Sequence, residues 1–161
     1  MKKKNAGYIA TAILFFAVVA VVSFLLTDTE SEWYMSLEKS PMQPPPIVFS
    51  VVWPVLYAML AASFAVTLVK RQGSGSLSYV ATGVGCCFWN YVFFTLHTVV
   101  GALFVIGALI LAGVWMFVSG SRAAKAAAWL TVPYIAWLAF AFVLNFSTAL
   151  LNLSGTSFII A

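Results

Sequence analysis

Charge is scarce in this chain of 161 residues: Asp, Glu, Lys and Arg together make up 7% of it. A soluble domain carries about a quarter charged residues, so this composition cannot build a water-facing surface. The few charges are also sorted by sign. All four acids, Asp28, Glu30, Glu32 and Glu38, fall in one short stretch. Seven of the eight bases lie elsewhere, as Lys2, Lys3 and Lys4, then Lys70 and Arg71, then Arg122 and Lys125. Only Lys39 shares the acidic stretch. These bases flank apolar segments and form no patch or basic helix face. That argues against a nucleic-acid partner and for a chain threaded through a bilayer.

Cysteine and histidine are nearly absent too. The two cysteines, Cys86 and Cys87, are adjacent within an apolar run, and His97 is the sole histidine. A disulfide framework and a metal site both need more, so the cysteines read as packing residues. No paired carboxylates and no nucleophile–base pair occur, which argues against a hydrolytic or metal-dependent enzyme. No internal repeat is visible, so an inverted-repeat transporter finds no support. The spans carry no charged residue, which speaks against an ion-coupled pump.

What the chain has in abundance is apolar length. Hydrophobic residues make up 63% of it, including six Trp, six Tyr and fourteen Phe. A membrane span takes about 20 apolar residues, and the pattern predicts spans over about 8–26, 47–69, 79–97, 99–118 and 126–151. The expected fold is a single all-α membrane domain over 1–161, a bundle of five transmembrane helices. Lys2–Lys4 ahead of Tyr8–Leu26 resembles a leader, but the apolar run is long and Thr27–Asp28–Thr29 makes a poor cleavage site, so a retained first span is expected. The placement of Lys and Arg predicts a cytoplasmic N-terminus and two cytoplasmic basic turns. The acidic first loop, 27–46, is then outside, and 152–161 is a short uncharged tail. That loop holds Trp33, Tyr34 and four prolines, Pro41, Pro44, Pro45 and Pro46. Prolines stiffen the chain, so an ordered cap is expected over one end of the bundle.

Three aromatic stripes follow from helical spacing: Trp53 and Tyr57 on the second span; Asn90, Phe93, Phe94 and His97 on the third; Trp129, Pro133, Trp137, Ala141 and Asn145 on the fifth. Pro133 is expected to kink its helix. Such rings pack a membrane bundle or line a pocket for a flat apolar molecule. Asn90 and Asn145 bond to other helices or contact a ligand. His97 is a loop histidine or, alternatively, an iron ligand. Ala81, Gly83 and Gly85 permit close helix approach, within the chain or in a homodimer seam.

Several of these residues carry a resemblance. Trp33-Tyr34-x-x-Leu37-x-Lys39, then Pro44-Pro45, then Trp53-x-x-Leu56-Tyr57, resembles the tryptophan-rich sensory protein/translocator protein family (TspO/MBR). So does Pro133-Tyr134-x-x-Trp137-Leu138-Ala139-Phe140-Ala141-x-x-Leu144-Asn145, and Asn90 falls where that family carries an Asn. The similarity covers about 30–152. It implies a five-helix membrane fold, often dimeric, that binds tetrapyrroles such as protoporphyrin IX and haem. Some bacterial members are assigned a light-dependent breakdown of protoporphyrin through two tryptophans, which resemble Trp53 and Trp137. The chain departs from the pattern at Ser40 and Met42, where the family has Lys-Pro-x-Trp, and at Phe93, where Asn-x-x-Trp or Asn-x-x-Asn is usual. Phe146, and the lack of any basic residue after it, removes the sterol-recognition pattern of animal members.

The resemblance and the stripes together imply a ligand site lined by Trp33, Tyr34, Lys39, Trp53, Tyr57, Asn90, Phe93, Trp137, Phe140, Ala141 and Asn145. They imply a tetrapyrrole as ligand and no required cofactor or metal. Besides the lipid bilayer and the ligand, a homodimer is left open as a partner. The function implied is that of a sensor, scavenger or regulator in a bacterial cytoplasmic membrane. A porphyrin-degrading enzyme and a transporter of such compounds are the alternatives.

Overall fold

The computed structural model of the protein describes residues 2–155. Five helices are long and apolar enough to cross a membrane. The first, α1, runs over Lys2–Leu26, beginning six residues before the expected span because the three lysines continue the same helix. A one-turn helix α2, Glu32–Ser36, lies in the first loop. Its start is set by local polar groups. Asp28 Oδ1 accepts from the backbone N–H groups of Glu30 and Ser31 at 3.1 and 3.0 Å. Ser31 is the N-cap and accepts from the Tyr34 N–H, satisfying a donor that the short helix leaves free.

The second span, α3, is Pro46–Lys70, with Pro46 in its first turn, where a missing N–H costs nothing. The third, α4, is Ser76–Asn90 and continues as a π-helical turn over Tyr91–Thr95. The expected 79–97 is thus displaced toward the N-terminus. The polar turn ends at Gly75, whose φ of +85° is the left-handed conformation glycine tolerates. At the other end, His97 with φ +53° turns the chain back, and α5, Val99–Ser121, begins at once. The fifth span is broken in two, α6 over Lys125–Trp129 and α7 over Val132–Gly155. Residues 152–155, expected in a tail, continue this helix; the rest of that tail lies outside the described residues.

The helices form a ring in which α1 touches α3 and α4, α5 touches α4 and α7, and α3 closes the ring against the fifth span. Alternation places Lys2–Lys4 and both basic turns at one end of the bundle, and α2 at the other, here termed the cap end. Two glycines on α4 permit the closest approaches. A Cβ on Gly83 would meet Phe15 and Val19 of α1 at 2.6 and 2.9 Å, and one on Gly85 would meet Leu109 of α5 at 2.6 Å. Both therefore serve packing inside the chain. The core they help close contains Phe16, Leu60, Phe64, Tyr79, Met116, Tyr134 and Leu138.

Candidate ligand-binding site

Within the core, polar contacts mark successive depths. In one layer, Tyr57 of α3 donates to Ser23 Oγ of α1 at 3.2 Å. Ser23 lies 3.8 Å from Cys87 Sγ, and Cys86 Sγ lies 3.2 Å from the Tyr134 hydroxyl of α7. One helical turn toward the cap, each helix presents a larger group. On α3 it is Trp53, on α4 Trp89 and Asn90, on α7 Trp137. The Trp53 ring sits 5.6 Å from Tyr57 and meets Trp137 edge-on at 6.5 Å. Trp137 also contacts Phe49 at 5.7 Å and Phe140 at 5.5 Å.

Asn90 is buried and paired. Its amide oxygen accepts from Thr27 Oγ1 at 3.0 Å, and its Nδ2 donates to the Cys86 carbonyl at 3.0 Å. It ties the end of α1 to α4. Asn145 differs. It is only 5% exposed, yet neither its Oδ1 nor its Nδ2 has a partner. The Nε1 atoms of Trp89 and Trp137 are likewise buried and unpartnered. A buried donor or acceptor without a partner costs about 1–3 kcal/mol. Each of these side chains, like Thr82 deeper in the bundle, is a polar point left open to a further partner.

Above this layer sits the cap. The Trp33 ring stacks on His97 at 4.5 Å and meets Phe93 edge-on at 5.4 Å. Tyr34 packs against Phe93 and Phe94 at 6.4 and 5.6 Å. Lys39 Nζ donates to the Tyr34 carbonyl at 2.9 Å and lies 4.4 Å from the Tyr34 ring centre. The far side of the loop is clasped to α7. The Glu38 N–H donates to Asn152 Oδ1 at 3.1 Å, Asn152 Nδ2 donates to the Glu38 carbonyl at 2.9 Å, and the Ser40 N–H donates to Thr148 Oγ1 at 3.3 Å. Asn152, Thr148 and Asn145 lie along one face of α7. The loop backbone meets the upper two and stops short of the third.

The residues expected from the sequence thus fall into two groups. Trp53, Tyr57, Trp137 and Phe140 meet between α3 and α7, with Ala141 partly buried against the core nearby. Trp33, Tyr34, Lys39 and Phe93 meet under the cap. The stripe expected on the fifth span needs correction. Trp129 is 67% exposed and Pro133 is exposed as well. The inward face instead carries Tyr134, Leu138, Asn145 and Thr148, because on a helix of 3.6 residues per turn a stripe in steps of four drifts by about 40° at each step and runs off the inner face. Trp89 was not expected in the site. Its signal was its place one turn before Phe93, on which it stacks at 5.1 Å. Two apolar grooves lie elsewhere, on the exposed flanks of the bundle. One of about 390 Å³ runs between α5 and α7 along Val114, Phe117 and Ile135. The other, of about 370 Å³, runs between α4 and α5 along Ala81, Gly85, Phe88 and Ala108. Neither has polar groups to orient a ligand comparable to those below the cap.

The sequence that builds this five-helix bundle is matched over residues 10–151 by a family profile described as the TspO/MBR family. The chain belongs to the TspO/MBR family. It is 30% identical over 149 residues to a tryptophan-rich protein TspO of Archaeoglobus fulgidus, covering 89% of this chain and 95% of that one. A Bacillus subtilis membrane protein, YtaB, is 25% identical over 155 residues, covering 94% and 99%. The translocator protein of Ovis aries is 31% identical over 131 residues, covering 71% of each chain. Membership and the five apolar helices make this an integral membrane protein.

Proposed function

We propose that the protein binds a tetrapyrrole, or a similar flat apolar ligand, beneath the first-loop cap, and acts as a sensor, scavenger or regulator. The observation that carries this reading is the unpartnered Asn145 amide, buried one step below the clasp that satisfies Thr148 and Asn152. Around it, aromatic faces on α3, α4 and α7 suit a disc-shaped ring system. Lys39 supplies a cation near the cap for acidic groups at the disc's edge. Packing supports an entry route: α3 holds the fifth span through α6 and touches α7 less, so the two helices can part toward the cap. The sorting of basic residues supports a cytoplasmic N-terminus, with the cap on the far face of a bacterial cytoplasmic membrane. A relative in Cereibacter sphaeroides is named tryptophan-rich sensory protein, a name in keeping with the sensor reading.

A second reading, light-dependent porphyrin breakdown, is favoured by the edge contact of Trp53 and Trp137. Two touching indoles beside a photosensitive ring are placed to give up an electron. One experiment addresses both readings. Purified protein is titrated with protoporphyrin IX, saturated, and followed by absorbance under illumination against free porphyrin in detergent. Binding by the parent that weakens by about tenfold or more in a folded Trp53→Ala/Trp137→Ala variant supports the site, two stacking contacts contributing ~0.5–1.5 kcal/mol each beyond burial. Unchanged affinity in that variant places the ligand elsewhere. Porphyrin loss faster than the free control, and abolished by Trp53→Phe or Trp137→Phe at full occupancy, makes the protein an enzyme.

A further inference from the structure

Trp89 stands one turn before Phe93 on the third span, at the depth of Asn90. Trp89 stacks on Phe93 at an interplanar angle of 14° and meets Phe94 edge-on at 6.3 Å. It is one of the few residues packed against both buried clusters, that of the bundle and that of the cap. Trp89 is partly buried, and its Nε1 atom is sealed and has no acceptor. The N–H edge therefore faces inward. It lies in the layer of Trp53 and Trp137, one turn above Cys86 just as Trp137 is one turn above Tyr134. Neighbouring α4 donors are spent inside the fold, since Asn90 Nδ2 bonds the Cys86 carbonyl. Thr82, also unpartnered, lies about two turns deeper and is separated from the cap by that layer.

Resting on the ligand-binding reading above, we infer that Trp89 is a specificity-determining ligand contact. Its indole N–H donates to an oxygen acceptor, a carboxylate or carbonyl, carried on the edge of the flat ligand. An indole has one donor and no acceptor, so it discriminates against ligands that offer only hydrocarbon at that edge. The stack on Phe93 fixes the ring plane and so the direction of the bond. Trp33 and His97 continue the same column of rings to the surface. The third helix thus presents an aromatic wall with a single polar point at its inner end.

The test compares two discs of similar size, protoporphyrin IX and an all-alkyl porphyrin that lacks its carboxylates, on the parent and on Trp89→Phe. The variant keeps an apolar ring for the Phe93 stack and loses the N–H. One hydrogen bond to a carboxylate corresponds to about a tenfold change in affinity. The expected result is that loss for protoporphyrin and none for the alkyl porphyrin. An equal loss for both, or no loss for either, overturns the inference and leaves the site standing. Should neither porphyrin bind the parent, the ligand-binding reading falls and takes this one with it. The parent protein supplies a second measurement that needs no folded variant. Its six indole N–H resonances are followed by proton–nitrogen correlation spectra during titration. A downfield shift at Trp89 with protoporphyrin only is expected, with the exposed Trp115 and Trp129 unmoved. A Trp89 resonance that responds alike to both ligands counts against a directed hydrogen bond.

Discussion

Asn145 shows how a single residue can be read from what it lacks. A buried primary amide in a membrane bundle normally pays for its desolvation with two or more hydrogen bonds. Asn90 does so, through Thr27 and the Cys86 carbonyl, whereas Asn145 does not. The fold therefore carries an unmet polar group costing about 1–3 kcal/mol, which the proposed ligand would satisfy. Asn145→Leu, close in volume and apolar, is expected to raise thermal stability in detergent by roughly 1 kcal/mol while lowering protoporphyrin affinity. Opposite signs for stability and binding are the signature of a functional residue. A variant that is both less stable and unaltered in binding would mean that the amide holds the fold together.

At the scale of the element, the break in the fifth span is the informative feature. Pro133 was expected to kink a continuous helix. Instead the helix stops at Trp129 and restarts at Val132, placing Pro133 in a first turn where its missing N–H leaves nothing unbonded. The Thr131 N–H bonds the Ala128 carbonyl at 3.0 Å, so the Ala127 carbonyl loses its usual partner four residues on. Ser63 of α3 replaces it, donating to Ala127 at 2.7 Å. The Ser63 hydroxyl also lies 2.8 Å from that of Tyr79, which in turn lies 3.0 Å from Thr67 Oγ1. This fully buried cluster holds α3 and α4 against the break. Ser63→Ala strands a carbonyl and weakens the Tyr79 contacts, so a loss of ~1–3 kcal/mol is expected. Thermal unfolding in detergent measures it, and a midpoint equal to the parent's would remove the clamp from the account.

For the whole molecule, the sorted charges make a prediction independent of any ligand. With the basic end cytoplasmic, a cysteine at exposed Ser36 on α2 is expected to react with an impermeant thiol reagent on intact cells. One at exposed Ser74, in the turn after α3, is not. The background is Cys86→Ala/Cys87→Ala, since both native thiols are free. The reverse pattern of labelling would invert the orientation and put the cap in the cytoplasm.

Which properties were legible from the chain alone follows from the range of the forces involved. The bilayer acts on every residue in the same way, through hydrophobicity and the cost of an unbonded backbone. Five helices and the sorting of charges were therefore written along the sequence, as was the first loop's cap-forming composition. Facing was not. The stripe through Trp129 and Pro133 ran in steps of four, which drift on a turn of 3.6 residues, and the packed bundle set the inward face through Tyr134 with Trp129 outside. Gly83 and Gly85 likewise could not declare their partners until Phe15, Val19 and Leu109 were in place. Only the tertiary structure separated Asn90 from Asn145 and brought Trp89 into the layer of Trp53 and Trp137. A hydrogen-bond partner is a neighbour in space, and whether a polar atom has one is decided by residues distant along the chain.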